Sequence, residues 1–234
     1  MLILAFESSS KPASVAVCKD GELLGLYYQN SGLTHSRTLL AMAESLLKNL
    51  ELRAAEIDLI AVSRGPGSFT GVRIGVSAAK GLAWGLEIPV CGVSTLEAMA
   101  RQAPEPGYIL CPAMDARRGQ IYNALFEWKN NALERLNEDR AITLEELATE
   151  AETWSKPIMA IGDGAAICHE RLKKAGINSR IAPELQRWQT AYGVAAAAIA
   201  ATAANPGAAT AAAELEPTYL RPSQAERNLL SKNR

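Results

Sequence analysis

The sequence predicts an α/β protein built from two tandem halves, each a mixed sheet carrying helices. Three observations lead there. The apolar stretch Asp58-Leu59-Ile60-Ala61-Val62-Ser63 runs into Gly and Pro and then into a Pro-free segment from Thr70 to Leu86, a pattern that reads as strand, tight loop and helix. Pro104-Glu105-Pro106-Gly107 interrupts the chain near its middle. On each side of it the order strand, strand, strand, helix, strand, helix can be read. The predicted halves are residues 1–103 and 104–213, with 214–234 expected to pack back on the first.

In order, Leu2 to Phe6 reads as a strand that ends at Glu7-Ser8-Ser9-Ser10. Ala13 to Cys18 is a second strand, and Asp20-Gly21 turns it into a third, Leu23 to Tyr28. Thr34-His35-Ser36 opens a helix to about Leu50. The strand 58–63 and the helix 70–86 follow. Ile88 to Val93 is a strand, and Ser94-Thr95-Leu96-Glu97 has the spacing of a capping box at a helix start. Past the break, Tyr108 to Met114 reads as a strand, Gln120 to Trp128 as a second, and Ala132 to Leu136 as a third after the Asn130-Asn131 turn. Thr143-Leu144-Glu145-Glu146 starts a helix by the same capping logic. Pro157 to Ile161 is a strand, Gly162-Asp163-Gly164 a turn, and Ala165 to Ala175 a helix. The Ala-rich run Ala191 to Ala204 is helical by propensity and stops at Asn205-Pro206-Gly207. Glu216 to Pro222 reads as extended.

Composition narrows the class of function. The chain has 234 residues, 48% hydrophobic and 21% charged, as expected of an ordinary globular protein with a sizeable core. Net charge is −1 from 24 basic and 25 acidic residues, with no Lys/Arg run, which disfavours tight direct binding to nucleic acid. Cys18, Cys91, Cys111 and Cys168 are dispersed and read as buried thiols of a reducing, cytoplasmic protein. The apolar start Met1–Phe6 lacks a basic flank and is cut by Glu7, so it reads as a strand rather than a leader. No apolar run has the length of a membrane span.

The centre of the chain is Arg64-Gly65-Pro66-Gly67-Ser68-Phe69-Thr70-Gly71-Val72-Arg73-Ile74-Gly75. Gly65, Pro66 and Gly67 set a tight turn, and Ser68 or Thr70 can cap the helix. Three readings compete: an anion site at the helix start, a plain βα turn, and a helix that packs against more than one neighbour. The spacing matches neither common nucleotide-loop pattern. The third reading rests on width. Apolar and small residues from Gly71 to Leu86 cover roughly 220° of the wheel, where one contact needs about 100°. The helix from 35 to 50 covers roughly 160° through Leu39, Leu40, Met42, Ala43, Leu46, Leu47 and Leu50. Gly71, Gly75 and Ala79 share one face, and mid-helix Gly costs about 1 kcal/mol against Ala, so a close approach there is expected.

Two α/β halves in tandem suggest the duplicated, actin-like (ribonuclease H-like) fold of actin and the sugar kinases, an analogy of fold only. Specific strings go further. Leu4-Ala5-Phe6-Glu7-Ser8-Ser9, His35-Ser36, Gly65 through Gly75, Ala79-Lys80-Gly81-Leu82-Ala83, Pro89 through Ala98, Asp115-Ala116-Arg117-Arg118 and Tyr219-Leu220-Arg221 together resemble the bacterial TsaB (YeaZ) family. The match is dense over the first hundred residues and sparse beyond.

The resemblance implies an actin-like protein without chemistry of its own. Its partner would be TsaD, the metal- and ATP-associated subunit that transfers a threonylcarbamoyl group from threonylcarbamoyl-AMP to an adenosine beside the anticodon of tRNAs reading ANN codons. The pair would recruit the ATPase TsaE, tRNA would be met only indirectly, and the chain alone would form a homodimer through the same helices. No cofactor is expected, save nucleotide at the TsaD interface. The partner face is expected at His35, Leu39, Leu40, Ala43, Leu46, Leu47, Gly71, Val72, Gly75, Ala78, Ala79 and Leu82, in a four-helix arrangement. A bulky residue at Gly75 is then expected to block pairing and leave the fold largely intact.

The remaining candidates are less specific. A metal site of the TsaD kind needs two histidines four apart on a helix, but His35 is followed at that distance by Leu39, and His169 is remote, so no metal is expected. Glu7, Ser8, Ser9, Gly65, Gly67 and Ser68 are candidates for holding phosphate, with loop capping as the plainer role for Glu7. Asp115, Arg117 and Arg118 form a polar set of unassigned role. Trp84, on the polar side of its helix, suits an interface rim. The rival functions are an actin-like ATPase and, by an old family label, a peptidase, for which no nucleophile with its partners is recognisable.

Overall fold

In the computed structural model, which describes residues 1–221, the first half contains β1 (Leu2–Glu7), β2 (Ala13–Lys19), β3 (Glu22–Gln29), α1 (His35–Asn49), β4 (Leu59–Gly65), α2 (Phe69–Leu86), β5 (Val90–Ser94) and α3 (Thr95–Arg101). Its sheet has the order β3-β2-β1-β4-β5. β1, β2 and β3 are antiparallel neighbours, and β4 and β5 run parallel to β1. Alternation divides the side chains between two faces. Leu4, Phe6, Val15, Val17, Ile60 and Val62 join the core beneath α1 and α2. Ile3, Ala5, Ala16, Leu59, Ala61 and Cys91 join a second core. Burial on both faces explains why Leu2–Phe6 of β1 and Leu59–Val62 of β4 are apolar at successive positions rather than alternating.

The second half contains β6 (Ile109–Arg117), β7 (Gln120–Asn123), β8 (Phe126–Lys129), β9 (Ala132–Arg135), β10 (Arg140–Thr143), α4 (Leu144–Ala151), β11 (Ile158–Ile161), α5 (Ala165–Lys174), β12 (Ser179–Ile181), α6 (Glu184–Arg187) and α7 (Ala191–Ala204). The path β10-β7-β6-β11-β12 repeats the order of the first sheet, strand for strand. The third strand of this half is therefore β10, not 132–136. The expected strand 120–128 is two strands. Asn123, buried at the break, donates from Nδ2 to the carbonyls of Pro112 (3.0 Å) and Ala124 (3.2 Å), and the chain leaves the sheet there. β8 and β9 then form a hairpin on the start of β6. The capping box at Thr143 closes in both directions. At Ser94 only half forms. Ser94 Oγ accepts from Glu97 N, while the Glu97 carboxylate turns to Arg101 and to Arg135 of the other half.

The Ala-rich α7 sits where its sequence position does not suggest. It follows the second half in the chain but packs on β1, β2, β4 and β5 of the first. Ala191, Val194, Ala195, Ala197 and Ala198 close the second face of that sheet. Small residues let the helix lie close. Ser14 Oγ, deep in β2, accepts from Ala191 N at 2.7 Å, and a side chain at Gly193 would run into the Ala98 carbonyl. Beyond α7, Thr210 pairs with Val90, and Leu215 enters the first core. The rest of the tail expected to pack back, residues 222–234, lies outside the described residues.

Candidate functional site

Ser68 ends the turn after β4 and caps α2, its Oγ accepting from Gly71 N (3.3 Å). The loop Glu7–Ser10 after β1 passes directly beneath this first turn. Ser8 Oγ donates to the Gly71 carbonyl at 2.9 Å, and Ser68 N donates to the Ser9 carbonyl at 2.7 Å. A Cβ on Gly71 would overlap the Ser8 carbonyl oxygen, and one on Gly75 would lie 2.5 Å from Ser8 Oγ. The close approach expected at Gly71 and Gly75 is therefore made by the chain's own loop.

Burial corrects the expected partner face in the same way. Leu39, Ala43, Leu46, Leu47, Val72 and Ala79 are buried in the first half's own core, with Gly71 and Gly75 beside them. The wide stripe on α2 is shared by three neighbours of its own chain: the sheet, α1, and the turn at 212–215, whose Ala212 and Leu215 belong to the same core. What reaches the surface is a strip with His35, Ala78 and Leu82 half-buried and Leu40 half-exposed, while Trp84, 72% exposed, is set about 200° around α2 from Leu82. Between α1 and α2 the strip sinks into an open groove of about 580 Å³, walled by Leu40, Phe69, Ile74 and Ala78 with Arg73 at its rim.

A second concavity, about 890 Å³, separates the halves. Ser10, Lys11 and the turn 66–70 line one wall, and Met114–Arg118 with Asp163 line the other. Arg117 and Arg118 both take left-handed backbone angles (φ 68° and 56°), and Asp115 Oδ1 holds that turn by accepting from Arg117 N at 2.7 Å. Of the phosphate candidates, Gly67 and Ser68 line this cleft, Ser8 Oγ is engaged with Gly71, and a Cβ at Gly65 would meet the Thr218 carbonyl. Among the described residues no three His, Cys, Asp or Glu side chains converge as metal ligands. His35 Nε2 lies 2.8 Å from the Ser10 carbonyl and so pins the loop after β1.

Glu7 is 1% exposed, and its Oε1 accepts from Ser9 N at 2.5 Å, so it caps the loop. Burial pushes its carboxyl above the ordinary range, against the hydrogen bond from Ser9 N and the nearby His35. The folded chain then keeps a proton that the unfolded chain has released. Stability is expected to fall as pH rises from the usual carboxylate range through this raised value. Glu7→Gln should flatten that slope in urea melts run at several pH values. An unchanged slope would show that Glu7 folds in its charged form.

Two sheets of one strand order, helices on both faces and a cleft between them define an actin-like protein. The family model described as TsaD: tRNA N6-adenosine threonylcarbamoyltransferase matches residues 25–229. The tRNA threonylcarbamoyladenosine biosynthesis protein TsaB of Bacillus subtilis (strain 168) is 33% identical over 71% of this chain and 73% of that protein. The protein of the same name from Escherichia coli (strain K12) is 33% identical over 76% of this chain and 78% of its own. The solved structure of YeaZ from Pseudomonas aeruginosa superposes with a TM-score of 0.78 at 26% identity, covering 94% of this chain and 99% of that one. The chain belongs to the TsaB (YeaZ) family.

Sequence reasoning missed Phe69 and Arg73 as walls of the groove. Arg73 stands on the polar side of the α2 wheel, and Phe69 reads as part of the turn. Arg73 Nε donates at 2.8 Å to the hydroxyl of Tyr219, 146 positions further on, a contact the sequence does not signal.

Proposed function

We propose that this chain is a non-catalytic subunit in tRNA threonylcarbamoyladenosine biosynthesis, which binds a TsaD-type transferase through the α1–α2 face and holds it in an active form. The observation that carries the reading is the open apolar groove between α1 and α2, continued one turn beyond Ala78 by Leu82. Exposed, contiguous apolar surface on a globular protein marks an interaction site. The relatives' names support the pathway. The TsaD family model extends over both helices, so a TsaD-type protein carries counterparts of α1 and α2. Two related helix pairs present similar apolar strips and can pack as four helices. Two copies of this chain would use the same strip for a homodimer in the absence of the partner. The transferase then supplies the chemistry on tRNAs reading ANN codons, and TsaE joins the assembled pair. The test is direct: mixed with TsaD from the same organism, the chain should move into a one-to-one complex on a sizing column. An unshifted elution would remove the reading.

A further inference from the structure

The stretch 215–221 crosses the start of α2 as an extended strap. Lys80 Nζ, on α2, donates to the carbonyls of Ala213 (3.1 Å) and Leu215 (2.9 Å). Thr218 N donates to the Arg64 carbonyl at 2.7 Å, continuing the end of β4. Arg221 Nη1 donates to the Ala116 carbonyl of β6, in the other half, at 2.9 Å. Between these anchors the Tyr219 ring stacks on Phe69, centroids 4.4 Å apart and planes 25° from parallel. The Arg73 guanidinium lies 3.8 Å from the centre of the Phe69 ring while its Nε donates to the Tyr219 hydroxyl. Phe69 faces both the cleft and the groove, Arg73 lines the groove, and Tyr219 lines the cleft. The ring at the mouth of the groove is thus held from behind.

We propose that Tyr219 is a positioning residue for docking: from the cleft side it fixes the Phe69 ring and the Arg73 guanidinium in the orientation a partner helix meets in the groove, without touching the partner itself. The inference rests on the docking role proposed above and extends it to a residue outside the face. Arg and Phe side chains lose rotamer freedom when an interface orders them, and a group already ordered in the free protein does not lose it again on binding. With its Nε held by Tyr219, Arg73 makes no other side-chain hydrogen bond among the described residues, so its Nη groups remain for a carboxylate or a helix-end carbonyl of the partner.

The experiment is a titration of TsaD from the same organism with the wild-type chain and with Tyr219→Ala, Tyr219→Phe, Arg73→Ala and the double variant Arg73→Ala/Tyr219→Ala. Circular dichroism and melting temperature are recorded for each free chain. Tyr219→Ala is expected to weaken binding about tenfold or more with the fold retained, and Tyr219→Phe, which keeps the stack, by no more than about threefold. The double variant should lose less than the two single losses combined, because Tyr219 acts in part through Arg73. Wild-type affinity in a folded Tyr219→Ala chain, or fully additive losses, would overturn the inference and leave the docking reading in place. If Tyr219→Ala does not fold, Tyr219→Leu keeps apolar cover over Phe69 without the flat ring or the hydroxyl. It should show the same weakening, and unchanged binding would overturn the inference. A wild-type chain that binds no TsaD overturns the docking reading and this inference together.

Discussion

Gly71→Ala is expected to cost at least about 3 kcal/mol, at the upper end of what overpacking removes and a large part of the roughly 5–15 kcal/mol that holds a domain together. One methyl group suffices because of what it meets. The new Cβ points at the backbone carbonyl of Ser8, which cannot rotate away as a side-chain tip can. That carbonyl sits at the end of β1, in a loop tied to α2 by Ser8 Oγ to Gly71 O and by Ser68 N to Ser9 O. Either α2 lifts from the sheet, opening the core around Val72, Val76 and Ala79, or β1 loses its end. The same helix supplies the control. A Cβ at Gly81 meets nothing within 4 Å, so Gly81→Ala should stabilise by up to about 1 kcal/mol through helix propensity. Urea melts of the two variants measure both effects. A Gly71→Ala chain that melts within about 0.5 kcal/mol of wild type would contradict this packing. A bulky residue at Gly75 belongs with Gly71→Ala: it would fail by unfolding, not by blocking a partner.

The second large effect is expected at Leu40. This side chain is 50% exposed on α1 at the edge of the groove, so Leu40→Asp should leave the free chain's stability within about 0.5 kcal/mol. Docking should suffer far more. A leucine buried in an interface contributes about 1.5–3 kcal/mol, and a carboxylate taken out of water without a partner costs more than the leucine's absence alone. Together these predict a loss of at least about a hundredfold in affinity for TsaD, within the range of interface hot spots. Homodimer formation should fall with it, because one strip is proposed to serve both pairings. Unchanged affinity in a folded Leu40→Asp chain would move the docking face away from the groove.

These two sites also mark what the sequence could and could not convey. The strands β1 and β4, the helices α1, α2 and α7 and the order of the first half are legible because their apolar periods are long and their caps and turns are explicit. β12 and α6 are too short to carry a period. The break between β7 and β8 falls at Ala124-Leu125, two buried apolar residues that leave no polar gap to read. The wheel of α2 gives the angle of its stripe but not the neighbours that fill it. The sheet, α1 and the 212–215 turn take most of it, and what is left for a partner is a narrower strip through Leu40, Ala78 and Leu82. His35, Leu40, Ala78 and Leu82 were legible as surface candidates. Phe69 and Arg73 were not, since the Tyr219 they contact lies at the far end of the chain.

One face is proposed to serve both pairings, and light scattering on a sizing column measures that most directly. The chain is run alone, then with TsaD from the same organism, then with increasing TsaD at fixed chain concentration. The predicted result is the mass of two copies alone, replaced on titration by the mass of one copy plus one TsaD, with no species holding two copies and TsaD together. A chain whose mass ignores TsaD, or a TsaD complex that retains the pair of copies intact, would contradict it.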